Sequence, residues 1–341
     1  MSVDTNALSL VDWYQSSNEP LVKEIAFSMI EAGNIFQDIP LITNATLLAN
    51  GSRVIGGLPA PHWTPINGEP SAVKGKPVSF QEQLWVIRDS IDMDHFIFKD
   101  KNQIGNPFDV QVDMYLKGLS YDLNDKFINN EHITGDKNAF VGIRARLDDP
   151  EQFGTNPACK IDAGGTDLSD DGLTGSTANV LIRQLQSLLD EMGSPDGTNV
   201  VIYMNDDLLR RVEQGIRELG AGGGFDLTRD NFDRRVLQYK NAKIRNVGRK
   251  SPSADGTQST HIITSTEPAN GLSDTGGSYT SLYAVKYGKN SFAGWQFEPL
   301  KPSGPEKLNN GVTYRIVFDW GVGLWQPNSR AVGRLYGIKV A

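Results

Sequence analysis

NPFDVQVDMYLKGLSYDLNDKFIN, residues 106–129, carries the clearest periodicity in the chain. Phe108, Val112, Tyr115, Leu116, Leu119, Leu123 and Phe127 recur mostly at steps of three and four, the spacing of one helical face. Asn106 is placed to cap this helix and Pro107 suits its first position. Asp109, Asp113, Lys117, Asp122 and Lys126 fall on the opposite face, so the helix, expected over 107–130, lies on a surface. At 1.5 Å per residue it is about 33–36 Å long, the width of a domain.

Working outward toward higher numbers, NAFVGIRARL (138–147) leads into a Gly/Asp/Ser-rich loop at 154–176. Ser176 or Thr177 then caps a helix to about Met192, with Val180, Leu181, Leu185, Leu188 and Leu189 on its stripe and Gly193 as its stop. NVVIYM (199–204) reads as a buried strand. Asn205 caps a further helix that carries Leu208, Leu209, Val212, Ile216 and Leu219 and ends at Gly220. Helix, strand, helix implies a layered α/β core. Beyond it the chain is strand-rich: VLQYKNAKIRNV, THIITSTEP, SLYAVKYG, SFAGWQFEPL, VTYRIVFDWGVGLWQP and VGRLYGIKV, with KPSGPEKLNNG (301–311) as a projecting turn.

Toward lower numbers, FQEQLWVIRDSIDMDHFIF (80–98) reads as strand with a break near Asp89-Ser90. Residues 44–79 hold ten Gly or Pro, punctuation suited to a long extended loop, yet Val54, Ile55, Leu58, Trp63 and Ile66 are too apolar for a disordered tract. Asn18 caps an amphipathic helix over 19–32, with Leu21, Val22, Ile25, Met29 and Ile30 on one side.

Composition narrows the function classes. The 341 residues include 33 basic and 41 acidic side chains, a net of −8 that argues against a basic nucleic-acid binder. The single cysteine, Cys159, excludes a disulfide framework. No apolar run is long enough to span a membrane, and MSVDTNALSLVDWYQSSNEP lacks a signal peptide's basic and apolar regions, so the chain is expected to stay in a reducing cytoplasm.

Catalytic patterns are absent. His62, His95, His132 and His261 stand apart with no HExxH, so no metal site and no cofactor are expected. Asp92, Asp94 and His95 are close in sequence but alternate across a strand, which favours a solvated face over an acid–base set. GAGGGFD (220–226) follows a helix rather than a strand, unlike a dinucleotide loop. GTDLSDDG (165–172) lacks calcium-loop spacing. Lys240, Lys243, Arg245, Arg249 and Lys250 suit phosphates, an acidic neighbour or, at least as well, a charged strand edge.

The order of segments, together with Phe127-Ile128-Asn129-Asn130, Gly135-Asp136 and Phe140-Val141-Gly142-Ile143-Arg144-Ala145-Arg146-Leu147, resembles the major capsid proteins of tailed bacteriophages. LIRQLQSLLDEM, VVIYMNDDLLRRV, SLYAVKYG and VFDWGVGLWQPNSRAVGRLYGI extend the resemblance over nearly the whole chain. It implies an α+β fold of the Hong Kong ninety-seven type, divided into an N-arm (1–43), an extended loop (44–88), a peripheral domain with spine helix (89–136), an axial domain (137–235), a strand-rich peripheral return (236–320) and a closing axial segment (321–341). The implied protein is not an enzyme. It self-assembles into hexamers and pentamers of an icosahedral virion shell around double-stranded DNA, in the host bacterial cytoplasm. A separate scaffolding protein, a portal and a decoration protein are the other partners implied. Candidate inter-subunit contacts by position are Leu21, Ile25, Ile30, Val54, Ile55, Trp63, Lys74, Lys76, Glu306, Asn309 and Asn310. Some relatives crosslink a loop lysine to a neighbour's asparagine, for which Lys74 or Lys76 and Asn309 or Asn310 are the candidates here. An encapsulin-type nanocompartment shell is the alternative on the same fold; an α/β enzyme is the alternative outside it.

Overall fold

The computed structural model describes residues 8–9, 35–43, 46–53, 59–75, 77–99, 107–131, 135–169, 172–219, 224–229, 235–251, 260–267, 279–309 and 311–340. The expected helix at 19–32, with Leu21, Ile25 and Ile30, lies outside these residues, as do Val54, Ile55, Lys76, Asn310, the cap residue Asn106 and residues 220–223. In chain order the elements are β1 (Leu8–Ser9), α1 (Ile35–Asp38), β2 (Pro40–Thr43), β3 (Leu48–Arg53), β4 (Val78–Gln83), β5 (Trp85–Asp94), α2 (His95–Lys99), α3 (Pro107–Asn129), α4 (Ile143–Asp148) and α5 (Pro150–Phe153). A 3-10 turn at Pro157–Cys159 leads to β6 (Lys160–Asp162), α6 (Gly175–Glu191), β7 (Val200–Met204), α7 (Asp206–Leu219), β8 (Phe225–Arg229), β9 (Arg235–Tyr239) and β10 (Ala242–Asn246). The last are β11 (Tyr279–Lys286), β12 (Ala293–Gln296), β13 (Lys301–Pro302), β14 (Glu306–Lys307), β15 (Thr313–Trp325) and β16 (Val332–Lys339).

Two seven-stranded sheets organise the chain. The first is built on β15: β5 runs along one edge from Trp85 to Asp94, while β12, β13 and β14 share the other edge in turn, and β2 and β1 extend the sheet beyond β12. The second has the order β6-β16-β11-β7-β10-β9-β8. Alternation decides which face of β15 is inside: Ile316, Phe318, Trp320 and Val322 are buried against α3. The expected stripe of α3 is the buried one, with Val112, Leu116, Leu119, Leu123 and Phe127 inside, and each large apolar side chain so buried contributes about 1.5–3 kcal/mol. Phe127 ties the sheets together, its ring 6.2 Å from Tyr203 on β7 and 5.9 Å from Phe292 beside β12. On the far face of the second sheet, α6 and α7 cover a separate core of Leu181, Leu185, Leu188, Leu208 and Val212 against Ile202, Ile244, Leu282 and Leu335.

Several expectations are corrected. The strand over 80–98 breaks at Leu84, not at Asp89-Ser90. Leu84 is buried and its N–H turns to the Leu47 carbonyl, whereas Asp89 and Ser90 stay in register with Phe318 and Val317. The cap of α6 is Thr174; Thr177 is its reciprocal partner three residues on, closing a capping box. The loop at 154–176 includes β6, parallel to β16. THIITSTEP is no strand, making only the bridges Arg249–His261 and Glu267–Tyr279 among the described residues. Residues 88 and 320 lie within the β5–β15 ladder and residue 235 opens the β8–β9 ladder; β9, β10 and β11 join β7 in the second sheet.

Candidate functional site

The β3–β4 hairpin pairs from Leu48–Gln83 to Arg53–Val78, and residues 59–75 carry it further as irregular chain. A tight turn, closed by the Gly68 N–H on the Pro65 carbonyl, brings Asn67 to a φ of 69°, a left-handed value that asparagine tolerates. Trp63 is 97% exposed and Ile66 95% exposed; Leu48, Val73 and Val78 are also solvent-facing. Scattered exposed apolar residues are ordinary; here five of them share one hairpin and its loop.

At its root the hairpin is held by buried charge. Glu82 of β4 accepts from both Nη atoms of Arg146, at 2.7 and 3.1 Å, while Arg146 Nε donates to the Val141 carbonyl at 3.0 Å. Arg53 of β3 donates to the Phe153 carbonyl and lies 3.9 Å over the Phe80 ring, with Glu82 4.0 Å away. Burial, opposed by Glu82 and reinforced by Arg146, pulls the Arg53 guanidinium down to about 10. It stays charged at neutral pH, so two buried cations share one carboxylate. Phe80 meets Trp325 at 4.9 Å, and Gly51 sits so close that a Cβ would come within 2.6 Å of both rings. Glycine is what the gap allows.

Arg146 is delivered by a clasp after α3. Asn130 Nδ2 donates to the carbonyls of Asp136 and Phe140 at 3.1 and 2.8 Å, its Oδ1 accepts the Asp136 N–H at 2.9 Å, and the Gly142 N–H returns to the Asn130 carbonyl. Gly142 lies on the helix-end backbone, where a Cβ would be 2.6 Å from the Lys126 carbonyl oxygen.

Of the expected contact residues inside the described chain, Trp63 and Lys74 lie exposed on the hairpin loop, Glu306 lies exposed in β14, paired with Arg315, and Asn309 lies exposed on the turn between β14 and β15; the projecting turn expected over 301–311 is instead laid along β15 through β13 and β14. They belong to two separate regions of the chain. Asp92, Asp94 and His95 each face a different neighbour and do not converge on one site. Asp92 pairs bidentately with Arg315 at 2.6 and 2.7 Å, Asp94 Oδ1 accepts the Phe96 N–H, and His95 stacks on Tyr314 at 5.6 Å. The basic cluster is not a charged strand edge, since β10 runs between β7 and β9. Acidic neighbours take most of it: Arg245 holds Asp38 at 3.1 Å with both side chains buried, Lys250 meets Asp125 at 3.1 Å, and Arg249 reaches Asp206 at 4.0 Å. Among the described residues no group of three or more His, Cys, Asp or Glu could hold a metal ion, and no helix is long and apolar enough to cross a membrane.

No protein-family model matches the sequence, and no curated protein does either. Solved structures do. The SrpI encapsulin of Synechococcus elongatus aligns over 89% of this chain and 86% of its own, with a TM-score of 0.56 at 8% identity. The capsid of a native GTA particle aligns over 91% of each chain, with a TM-score of 0.55 at 10% identity. The capsid of the Myoviridae phage XM1 covers 87% of this chain and 89% of its own, with a TM-score of 0.51 at 11% identity.

This chain has the Hong Kong ninety-seven capsid fold.

Within the Hong Kong ninety-seven fold adopted here, the FINN, GD and FVGIRARL stretches form one joint. Phe127 is wedged between the sheets, Asn130 clasps the turn, Gly142 permits its close approach, and Arg146 grips the hairpin. Sequence reading misses Arg53, Glu82 and Arg146 as a set. No local signal marks Arg146, which shares its short run with Arg144; Glu82 lies 64 positions away and Arg53, which shares that carboxylate, 93, beyond any local pattern.

Proposed function

We propose that the chain is the major shell subunit of an icosahedral phage head, assembling with copies of itself into hexamers and pentamers around double-stranded DNA. The observation that carries this reading is the hairpin with Trp63 and Ile66 almost wholly exposed, on a chain whose fold matches shell proteins along most of their length. Within one subunit those side chains have no apolar cover, whereas on a neighbouring copy they would be buried, and closed assemblies accumulate such contacts. The net of −8 suits a wall that contains packed polyanion without clamping it. Trp63, Lys74, Glu306 and Asn309 are then contact residues, together with Leu21, Ile25, Ile30, Val54, Ile55, Lys76 and Asn310. A scaffolding protein guides closure, and a portal and a decoration protein complete the particle.

The encapsulin reading draws on the SrpI encapsulin alignment. Electron microscopy of the expressed chain, with and without its scaffold, tests the common core: closed shells are expected, and only small monodisperse species under all conditions would refute it. Particle contents then decide between the two, nuclease-protected DNA for a phage head and an encapsulated enzyme for a nanocompartment. A crosslink joining Lys74 or Lys76 to Asn309 or Asn310 of a neighbour predicts ladders on denaturing gels of mature particles; a lone subunit band removes that element.

A further inference from the structure

The outward face of the first sheet carries its charges in a definite order. Residues directly opposite in an antiparallel pair point to the same face. Arg88, Asp319 and Lys301 therefore form one row across β5, β15 and β13, with charges plus, minus, plus. Asp92, Arg315 and Glu306 form a second row across β5, β15 and β14, with charges minus, plus, minus. Between them runs an uncharged row of Ser90, Val317 and Ser303, the last bonded to Val317 through both its N–H and its Oγ at 2.9 Å. The rows are solvent-facing: Arg88 and Asp319 are 68% and 52% exposed, and their pair is 2.8 Å long.

Pairing within the chain explains why charges alternate along each row. It does not explain why the second row inverts the first, since either order would leave the intrachain pairs equally good. Rows separated by four strand residues are about 13–14 Å apart, beyond the Debye length of about 8 Å at physiological salt, so repulsion between them is too weak to set the order. Inversion has one geometric consequence. Turned over about an axis lying along the uncharged row, a second copy places its plus-minus-plus row on the minus-plus-minus row of the first, so all six charges meet opposites. Turned about the strand direction instead, it places like on like. The face is self-complementary in one orientation only, the property an isologous two-fold contact requires.

We infer that this face is a two-fold contact between copies of this chain, with Arg88 meeting the second copy's Asp92, Asp319 its Arg315 and Lys301 its Glu306. The patch spans about 10 by 14 Å, far below the roughly 800 Å² per partner of a stable complex, so it orients copies that other contacts bring together rather than holding a dimer alone. The contact stands or falls independently of what the assembled particle is.

The test uses the full chain with Ser90→Cys, which stands on the axis beside its own symmetry mate, and a bismaleimide spacer of about 10 Å, the separation of face-packed sheets. Native Cys159 is buried and does not compete. A covalent dimer is expected at low salt and is lost at high salt. Swapping the first row (Arg88→Asp, Asp319→Arg and Lys301→Glu) keeps every intrachain pair but sets like against like between copies, and lowers dimer yield by about tenfold. Swapping the second row as well (Asp92→Arg, Arg315→Asp and Glu306→Lys) restores it. No dimer in the parent, or equal yields in all three chains, overturns the inference.

Discussion

Asp38 and Arg245 illustrate how much depends on where a charge sits. Both side chains are buried, and they tie α1 to β10 across 207 positions of sequence. Removing one member strands the other in low dielectric, so Asp38→Asn is expected to cost about 3–5 kcal/mol in urea unfolding. Asp92→Asn breaks an even shorter pair, but one in solvent, and should move the urea midpoint far less than Asp38→Asn does. Acid acts through a different carboxylate. Lys339, aided by Ser169, holds Asp167 down to about 2, below the usual carboxylate value. Its folded-state pKa is lowered, so its contribution is fully present above about pH 4 and fades as pH falls toward 2. Asp167→Asn should therefore flatten the acid limb of the stability curve in that window and add no new pH dependence near neutrality. Cys159 gives a third check: burial pushes its thiol up to about 11, so a thiol reagent at pH 8 should label it only as fast as the chain unfolds. Rapid labelling of native protein would contradict its placement beneath α6.

At the scale of elements, the joint after α3 predicts opposite outcomes for two glycines. Gly142→Ala drives a Cβ into the carbonyls of Lys126 and Ile128, backbone that cannot yield, and should cost about 1–3 kcal/mol. Gly118 lies in the middle of α3, and a Cβ added there would meet nothing within 4 Å, so Gly118→Ala should gain up to about 1 kcal/mol. Chemical denaturation of the two variants reads both signs. These elements also show what a sequence can and cannot display. The face of α3, the strand at 199–204 and the Asn205 cap are legible because helix periodicity, an apolar run and a cap are local signals; Asn205 Oδ1 indeed accepts the Leu208 N–H at 2.8 Å. The continuity of β5 through Asp89-Ser90 is not, because its polar residues are held by β15 more than 200 positions away and by Tyr115 of α3. The cap of α6 is a choice among neighbouring hydroxyl residues that only the backbone geometry resolves. At the hairpin root, Glu82 looks like one more polar residue of an alternating strand until Arg146 is folded onto it.

For the whole molecule, the hairpin should be separable from the body. Replacing residues 59–75 with a short Gly-containing turn removes Trp63 and Ile66 but leaves Arg53, Glu82 and Arg146 in place. The expected outcome is a folded chain whose melting temperature shifts by no more than a few degrees and which forms no particles in microscopy. Normal shells from that variant would show that the projection is dispensable for assembly. A variant that fails to fold would instead show that the loop stabilises the subunit itself.

The pairing of early strands with late ones sets a clock. β2, which ends at Thr43, is hydrogen-bonded to β12, β5 to β15, and β6 to β16, which opens at Val332. The 250 residues between Thr43 and Gly294, where β2 meets β12, take roughly 12–50 s to synthesise at 5–20 residues per second. Throughout that interval β2 waits on the ribosome without β12, and β5 and β6 wait in turn for β15 and β16, while neighbouring ribosomes on the same message hold identical chains. Folding of the chain thus has a high contact order and closes only once the late strands are made, so the yield of folded protein depends on how nascent chains are kept apart as well as on the strength of the finished fold.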